Sequence, residues 1–491
     1  MEAAMTRSLR IAIVGAGMSG LAMAAKLLRA GFSDVVIYES ADEVGGTWRD
    51  NTYPGLSCDV PARFYSYSFA PNPNWSANFA PGDEIQAYFV KTTSDLGLRR
   101  LIRFGTEIES ATWDGHRYHL QTTKGEHDYA DVLIAATGVL RKPQIPDIEG
   151  IAEFCGDAFH SARWDHSVKL RGKKIAVIGT GSTGAQITSA LAGVAAPLML
   201  FQRTAQWILP LPRLPYSPLS RTAMRLVPQL NRSSYHLYRE LMERIFGRAA
   251  VEPGWQRSAV SAVCRLHLQL AIRNPALRQK LTPPDDPMCK RLIMSASFYP
   301  SVARKDVHLI TEAIERVEQR GIRTTDGALH ECDVIVFATG FDARAYLRPM
   351  DIIGEDGRSL SEAWAHGVRG YRTVAVPGFP NFFTLIGPHS PIGNHSLIAI
   401  AETQADYIVQ WLESMRSGVV SSCAPSQEAT DEFNSAIRDV MPSTVWTTGC
   451  NSWYIGPDGV PETWPWTPAV HRQMLAAPVR AHFHITDGAR A

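Results

Sequence analysis

At 491 residues the chain is longer than one hydrophobic core usually serves, so two nucleotide-sized domains plus an insertion are expected. Its 49 Lys and Arg nearly cancel 48 Asp and Glu, which disfavours a nucleic-acid binder held by bulk basic charge, and 45% apolar with 20% charged residues is globular rather than disordered. The seven cysteines, at 58, 155, 264, 289, 332, 423 and 450, are odd in number and never spaced Cys-x-x-Cys, so a disulfide framework, a zinc site and a redox dithiol all lack support and a reducing cytoplasm is expected. No apolar run approaches the roughly 18 residues of a membrane span, although composition leaves peripheral contact through the aromatic-rich C-terminal third open.

In chain order, Ile11-Ala-Ile-Val14 reads as a buried strand that runs into Gly15-Ala-Gly17-Met-Ser19-Gly20 and then a helix from Leu21 to Leu28. A second strand, Val35 to Tyr38, ends in Glu39, nineteen residues beyond Gly20, where a Rossmann unit places the acid that binds ribose hydroxyls. The same grammar returns at Lys174 to Ile178, Gly179-Thr180-Gly181-Ser182-Thr183-Gly184, a helix through Leu191 and a strand from Pro197 to Phe201. This second strand ends in Gln202-Arg203-Thr204, with no acid. Strand-like runs from Asp131 and Asp333 each end in Ala-Thr-Gly, at 136–138 and 338–340, at the sheet edge where ligands of open α/β folds bind. Between Pro210 and Pro287 the pattern becomes helical, with amphipathic stretches at 234–246 and 259–271; beyond Gly340 a helix is expected over 398–415, then a tail with Trp446, Trp453, Tyr454, Trp464 and Trp466.

The glycines at 15, 17 and 20 allow a tight turn and close approach of a pyrophosphate to a helix N-terminus. Glu39 repels a 2′-phosphate, so the first unit should take FAD or NAD; Arg203 can pair with a 2′-phosphate, so the second should take NADPH, with Thr180, Ser182, Thr183 and Gln186 adding polar contacts near the phosphates. One FAD-like and one NADPH-like site make a flavoprotein reduced by nicotinamide, and without a cysteine pair the electrons go to oxygen or an external carrier.

Three further segments carry a resemblance. They are Gly45-Gly46-Thr47-Trp48-Arg49-Asp50-Asn51-Thr52-Tyr53-Pro54-Gly55-Leu56-Ser57-Cys58-Asp59, the run from Phe154 through His160 and Trp164 to Asp165, and Lys290-Arg291 after Pro287. With the two fingerprints, they resemble the type I Baeyer-Villiger monooxygenases of the class B flavin-dependent monooxygenases, in the same order from the first strand to at least Asn394. The likeness is weakest in the insertion, which is short for that family, and in the last ninety or so residues.

The resemblance implies conversion of a ketone to an ester or lactone with O2 and NADPH through a C4a-peroxyflavin. It makes Arg291 the cation beside the oxygenating group and Asp59 its partner; Gly46, Thr47, Trp48, Tyr65, Asp59 and Asn394 join the cofactor contacts, with Thr204 and Lys290 beside Arg203 at the 2′-phosphate. A permanently charged guanidinium suits the anionic adduct, and a paired carboxylate lets that charge be buried. His160 is read as a packed, hydrogen-bonded residue rather than an acid or base. The competing functions are oxygenation of sulfur or nitrogen by a flavin-containing monooxygenase and electron transfer from NADPH to a partner protein.

The expected fold is therefore α/β, with two Rossmann-like dinucleotide-binding domains, for FAD and NADP, and a helical insertion. The FAD-binding domain should occupy 1–145 and, with the tail, 341–491; the NADP-binding domain 146–210 and 286–340; the insertion 211–285. Hinges for relative motion are expected near 137–146 and 340–346.

Overall fold

Ile11–Val14 (β1) is apolar and buried along its whole length, as a strand covered on both faces of a parallel sheet must be. In the computed structural model, which describes residues 8–342, 345–390, 393, 395–450, 452, 454–456 and 458–488, β1 is the middle strand of five. It pairs in parallel with Val35–Tyr38 (β2) on one side and Val132–Ala135 on the other, and Ile102–Arg103 and Phe382–Thr384 complete the edges. Between β1 and β2 runs a helix, Met18–Arg29 (α1).

A second parallel sheet repeats the design. Ile175–Ile178 (β3) is its middle strand, flanked by Leu198–Phe201 (β4) and Val334–Phe337, with Val307–Ile310 and Asp157–His160 outermost. Ser182–Leu191 (α2) joins β3 to β4. The sequence places the three inner strands of each sheet to within a residue or two at their ends, but not the edge strands Ile102–Arg103, Phe382–Thr384, Asp157–His160 and Val307–Ile310. It does not reveal two antiparallel meanders, 108–130 and 314–331, the first extended by Asp351–Ile353.

The chain passes twice between the sheets, and the two connections are laced together. Pro143 bridges Phe341, the Gln144 amide donates to the Gly340 carbonyl at 2.9 Å, and the Asp342 amide donates to the Lys142 carbonyl at 2.9 Å. The Thr339 hydroxyl adds a bond of 2.5 Å to the Gln144 carbonyl.

The stretch read as helical holds Pro218–Leu226 (α3), Pro228–Met242 (α4) and Trp255–Ala271 (α5). The expected start of α4 at 234 is corrected to 228, because Pro228 enters the first turn, where its fixed φ suits a helix and its missing N–H costs nothing. Its expected end is also corrected: a π-helical turn, Glu243–Gly247, takes over after Met242. At the base of this stretch Ile208–Leu209 pairs with Ile293–Met294. Leu397–Arg416 (α6), capped by the Ser396 hydroxyl, lies against α1, with Lys26 reaching Asp406 at 2.8 Å and Arg416 donating to the Ala30 carbonyl at 2.8 Å.

In the tail, Trp446, Tyr454 and Trp464 are buried and Trp466 packs against the core, so these described aromatics belong to the interior. Trp453 lies outside the described residues. Among the described residues, no helix is long and apolar enough to cross a membrane.

Candidate active site

Both glycine turns open onto one cleft of about 2560 Å³. That is well beyond the roughly 300–1,000 Å³ of a single small-molecule site. The turns are near copies. Gly15 and Gly179 have φ of 105° and 114°, and a Cβ on them would stand 2.6 Å from the Ala136 carbonyl oxygen and 2.4 Å from that of Ala338. Gly20 and Gly184 are packing positions, where a Cβ would meet the Gly15 and Gly179 oxygens at 1.9 and 2.0 Å.

Gly17 and Gly181 cap α1 and α2 without any side-chain hydrogen bond, leaving the first amides of both helices toward the cleft. A Cβ on Gly181 would meet nothing within 4 Å. This pair of open, positive helix ends fits two pyrophosphates, and so fits FAD and a nicotinamide dinucleotide. Ser19, Ser182, Thr180 and Thr183 also line the cleft, although the Thr180 hydroxyl is spent on the Thr204 carbonyl at 2.8 Å.

Glu39 lies at the end of β2, buried, with one oxygen accepting from the Ala16 amide at 2.8 Å and the other from Ala41 at 2.9 Å and Arg49 at 3.1 Å. Gly46 and Thr47 begin the short helix Thr47–Asp50 on the facing wall. Trp48 donates through Nε1 to the Tyr65 hydroxyl at 2.9 Å, their rings meeting edge to face.

Arg203 is exposed on the cleft wall with Thr204 and makes no ion pair among the described residues. Lys290 lines the same cleft with its Nζ 3.4 Å from Asp285. Gln186 does not do what the sequence suggests. Its Oε1 accepts from the Tyr53 hydroxyl at 2.9 Å and its Nε2 donates to the Ser57 carbonyl at 2.9 Å, so both ends of the amide tie the second nucleotide unit to the 45–59 segment instead of reaching for phosphate.

Arg291 and Asp59 meet across 232 positions of chain. Nε and Nη2 of the arginine donate to the two carboxylate oxygens at 2.9 and 2.7 Å, a bidentate pair on the cleft wall. Burial opposes the guanidinium charge, but Asp59 outweighs it and holds the arginine protonated even beyond its ordinary range. The Tyr454 hydroxyl is hydrogen-bonded to the same guanidinium, and burial raises its pKa against the pull of that charge.

Two residues before Arg291 and four before Tyr454, Cys289 and Cys450 form a disulfide across 161 positions. The reading of the cysteines as carrying no bridge is corrected for this pair: the fold brings together two loops that no spacing rule connects. His160 is the packed residue expected, its Nδ1 accepting from the Ala162 amide at 3.1 Å. Asn394 lies outside the described residues. Its neighbour His395 lines the cleft, and burial lowers its pKa to about 3, so the ring is neutral.

Comparison with known proteins fits this geometry. Residues 8–219 match the flavin-binding monooxygenase-like family. A Baeyer-Villiger monooxygenase of Streptomyces coelicolor is 38% identical over 94% of this chain and 90% of its own length. The chain belongs to this Baeyer-Villiger family of flavin monooxygenases. An uncharacterised monooxygenase of Mycobacterium tuberculosis is 54% identical over 95% of this chain and 94% of that protein. A solved structure of OTEMO in complex with FAD and NADP superposes with a TM-score of 0.87 at 26% identity, covering 98% of this chain and all of that one.

Sequence reasoning toward a Baeyer-Villiger monooxygenase misses two side chains at this site. Arg49 sits inside the quoted 45–59 run, and its pairing with Glu39 and Asp50 is a tertiary contact that the run alone does not announce. Tyr454 stands in the weakly matching tail, and nothing near it in the sequence points to an arginine more than 160 positions away.

Proposed function

We propose that this chain is an FAD- and NADPH-dependent Baeyer-Villiger monooxygenase that inserts one atom of O2 beside a ketone carbonyl to give an ester or lactone. The observation that carries this reading is the bidentate Asp59–Arg291 pair, set on the wall of a cleft that also holds both dinucleotide turns. FAD, reduced by NADPH, supplies the activated oxygen when bound.

The chain's own groups supply the rest. The open amides after Gly17 and Gly181 hold the two pyrophosphates, and Glu39 takes the ribose hydroxyls of FAD. Arg203, unpaired and exposed to the cleft, takes the 2′-phosphate with Lys290 and Thr204 beside it; its planar fork suits a phosphate dianion. Arg291 cannot surrender its proton, so it presents a fixed positive charge to an oxygen anion and to the negative adduct formed on a carbonyl. Asp59 aims that charge and offsets the cost of burying it. We place this work in the cytoplasm on the need for NADPH alone, since the Cys289–Cys450 bridge removes the cysteine argument for a reducing compartment.

The test is product analysis with the purified holoenzyme, NADPH, O2 and a panel of cyclic, aryl and long-chain ketones. Ester or lactone formed in step with NADPH consumption is expected. Sulfoxide from a thioether with no ester from any ketone would reassign the chemistry to heteroatom oxygenation. NADPH consumption supported only by an added electron carrier would reassign it to electron transfer.

A further inference from the structure

The helices α3 to α5 carry surface chemistry that the oxygenation reaction does not use. Of the fifteen exposed large hydrophobic side chains among the described residues, eleven fall between 214 and 270. They are arranged in stripes. On α3, Leu219 and Leu226 are seven apart and 83% and 76% exposed. On α4, Leu230, Leu237 and Leu241 follow at intervals of seven and four, and on α5 Trp255, Val263, Leu266 and Leu270 share a similar face. Residues seven or eleven apart lie within about 20° of each other around a helix of 3.6 residues per turn, so each stripe is a continuous apolar ridge.

The inner side of the same helices is ordinary core. Tyr235 of α4 meets Phe64 edge to face, Asn231 donates to the Pro71 carbonyl, and Arg472 clamps Glu243 at 2.5 and 2.9 Å. The ridges therefore belong to helices fixed on the body of the enzyme, with their outer faces bare.

Charge selects what covers them. Residues 211–273 hold ten arginines, no lysine, no aspartate and three glutamates, a net charge of +7 in a chain whose total is +1. Two of the glutamates are spent, Glu240 on Arg244 and Glu243 on Arg472. Arg213, Arg225, Arg232 and Arg248 are exposed and outside every ion pair among the described residues. A second copy of this chain joined through the same patch would set like charge against like. Leucine and tryptophan ridges flanked by arginines are the composition of helices that lie in the interface of an anionic bilayer, where apolar burial and attraction to acidic headgroups add.

We propose that α3 to α5 dock the enzyme on an anionic phospholipid surface, their leucine ridges in the headgroup–acyl boundary and their arginines on the lipid phosphates. The geometry also ties this surface to the site: the π-turn that continues α4 holds Glu243, whose carboxylate lies 4.0 Å from His395 on the cleft wall. A lipophilic substrate dissolved in the bilayer would thus leave it beside the cleft.

The test is flotation of the FAD-loaded holoenzyme with vesicles of phosphatidylcholine alone and of phosphatidylcholine with about a third phosphatidylglycerol. The enzyme is expected to float with the anionic vesicles, not with the neutral ones, and to be released by about 1 M salt, where charges are screened beyond ~3 Å. The Leu237→Glu/Leu266→Glu variant should lose at least tenfold in vesicle binding while oxidising NADPH with a water-soluble ketone at the parental rate. Arg225→Gln and Arg232→Gln should each weaken binding about fivefold. No flotation with anionic vesicles, or flotation that the double variant leaves intact, overturns the proposal. A dimer in sedimentation that Leu237→Glu/Leu266→Glu dissociates, without vesicle binding by the parent, also overturns it and gives the face to a second copy.

Discussion

Arg291 and Asp59 hold each other through two parallel hydrogen bonds of 2.9 and 2.7 Å, although one lies in the 45–59 segment beside the first glycine turn and the other in the second nucleotide unit. The pair therefore forms only when the two units are in register. Arg291→Ala removes the fixed charge, and ester formation is expected to fall by about 10²–10³-fold or more, as for loss of an oxyanion donor. Arg291→Lys should not rescue it, since a lysine cannot make the bidentate contact. Rates of ester formation at saturating NADPH check this. Asp59→Ala should lower activity too, and both variants should lower thermal stability, because each leaves one recessed charge without its partner.

Selectivity for NADPH should rest on Arg203. A charge-assisted hydrogen bond contributes about 1.5–3 kcal/mol, so Arg203→Ala is expected to raise KM for NADPH about 10- to 100-fold. KM for NADH and the melting temperature should stay near the parental values. Steady-state kinetics with both dinucleotides measure the split.

Two glycine substitutions should fail in different ways. Gly15→Ala puts a Cβ 2.6 Å from the Ala136 oxygen at φ 105°, so it should yield unstable, colourless protein lacking FAD. Gly181 has φ of −65° and open space around its Cβ position, so Gly181→Ala should fold and stay yellow. Its methyl group then stands where the NADPH pyrophosphate approaches, and the rate of anaerobic flavin reduction at limiting NADPH should drop at least tenfold.

Acid should destabilise the protein in a definable window. Burial lowers the pKa of His389 to about 4 and those of His395 and His471 to about 3. In the unfolded chain each imidazole titrates near 6.5, so below that pH the unfolded state binds more protons than the folded state. Stability is then lost as the pH falls from about 6.5 toward 3–4, by ~1.4 kcal/mol per pH unit for each histidine that stays neutral. Urea unfolding between pH 8 and pH 5 should show this slope, and His471→Gln should reduce it by about one proton.

The Cys289–Cys450 bridge fastens the tail that carries Tyr454 to the loop that carries Arg291. Reduction with dithiothreitol, or Cys450→Ser, should cost about 2–4 kcal/mol of stability. It should also lower ketone turnover more than it lowers flavin reduction by NADPH, because Tyr454 of the tail is hydrogen-bonded to Arg291. Peroxide release per NADPH consumed, measured with and without reductant, checks the second part.

Both nucleotide units are legible in the sequence because their inner strands are short, apolar and punctuated by glycines that the backbone requires, whereas edge strands such as Asp157–His160 are partly polar and escape it. Arg291 and Asp59 are legible only through resemblance; no periodicity links positions 232 apart. The meanders escape the same reading. Tyr118–Thr122 alternates buried and exposed residues, but in so few positions, with His and Gln outward, that it does not stand out from a polar loop. Gln186 shows the opposite failure: its place after a phosphate-binding turn suggests a ligand contact, yet the neighbouring unit offers both a donor and an acceptor and claims the side chain.

The laced connections at 142–144 and 339–342 have one more effect. Two strands bonded side by side twist readily as a ribbon, whereas sliding one past the other breaks their bonds. Relative motion of the two units should therefore be a twist rather than a slide, and it is limited further by the Cys289–Cys450 bridge, which keeps Arg291 with the tail, and by Gln186, which holds the 45–59 segment.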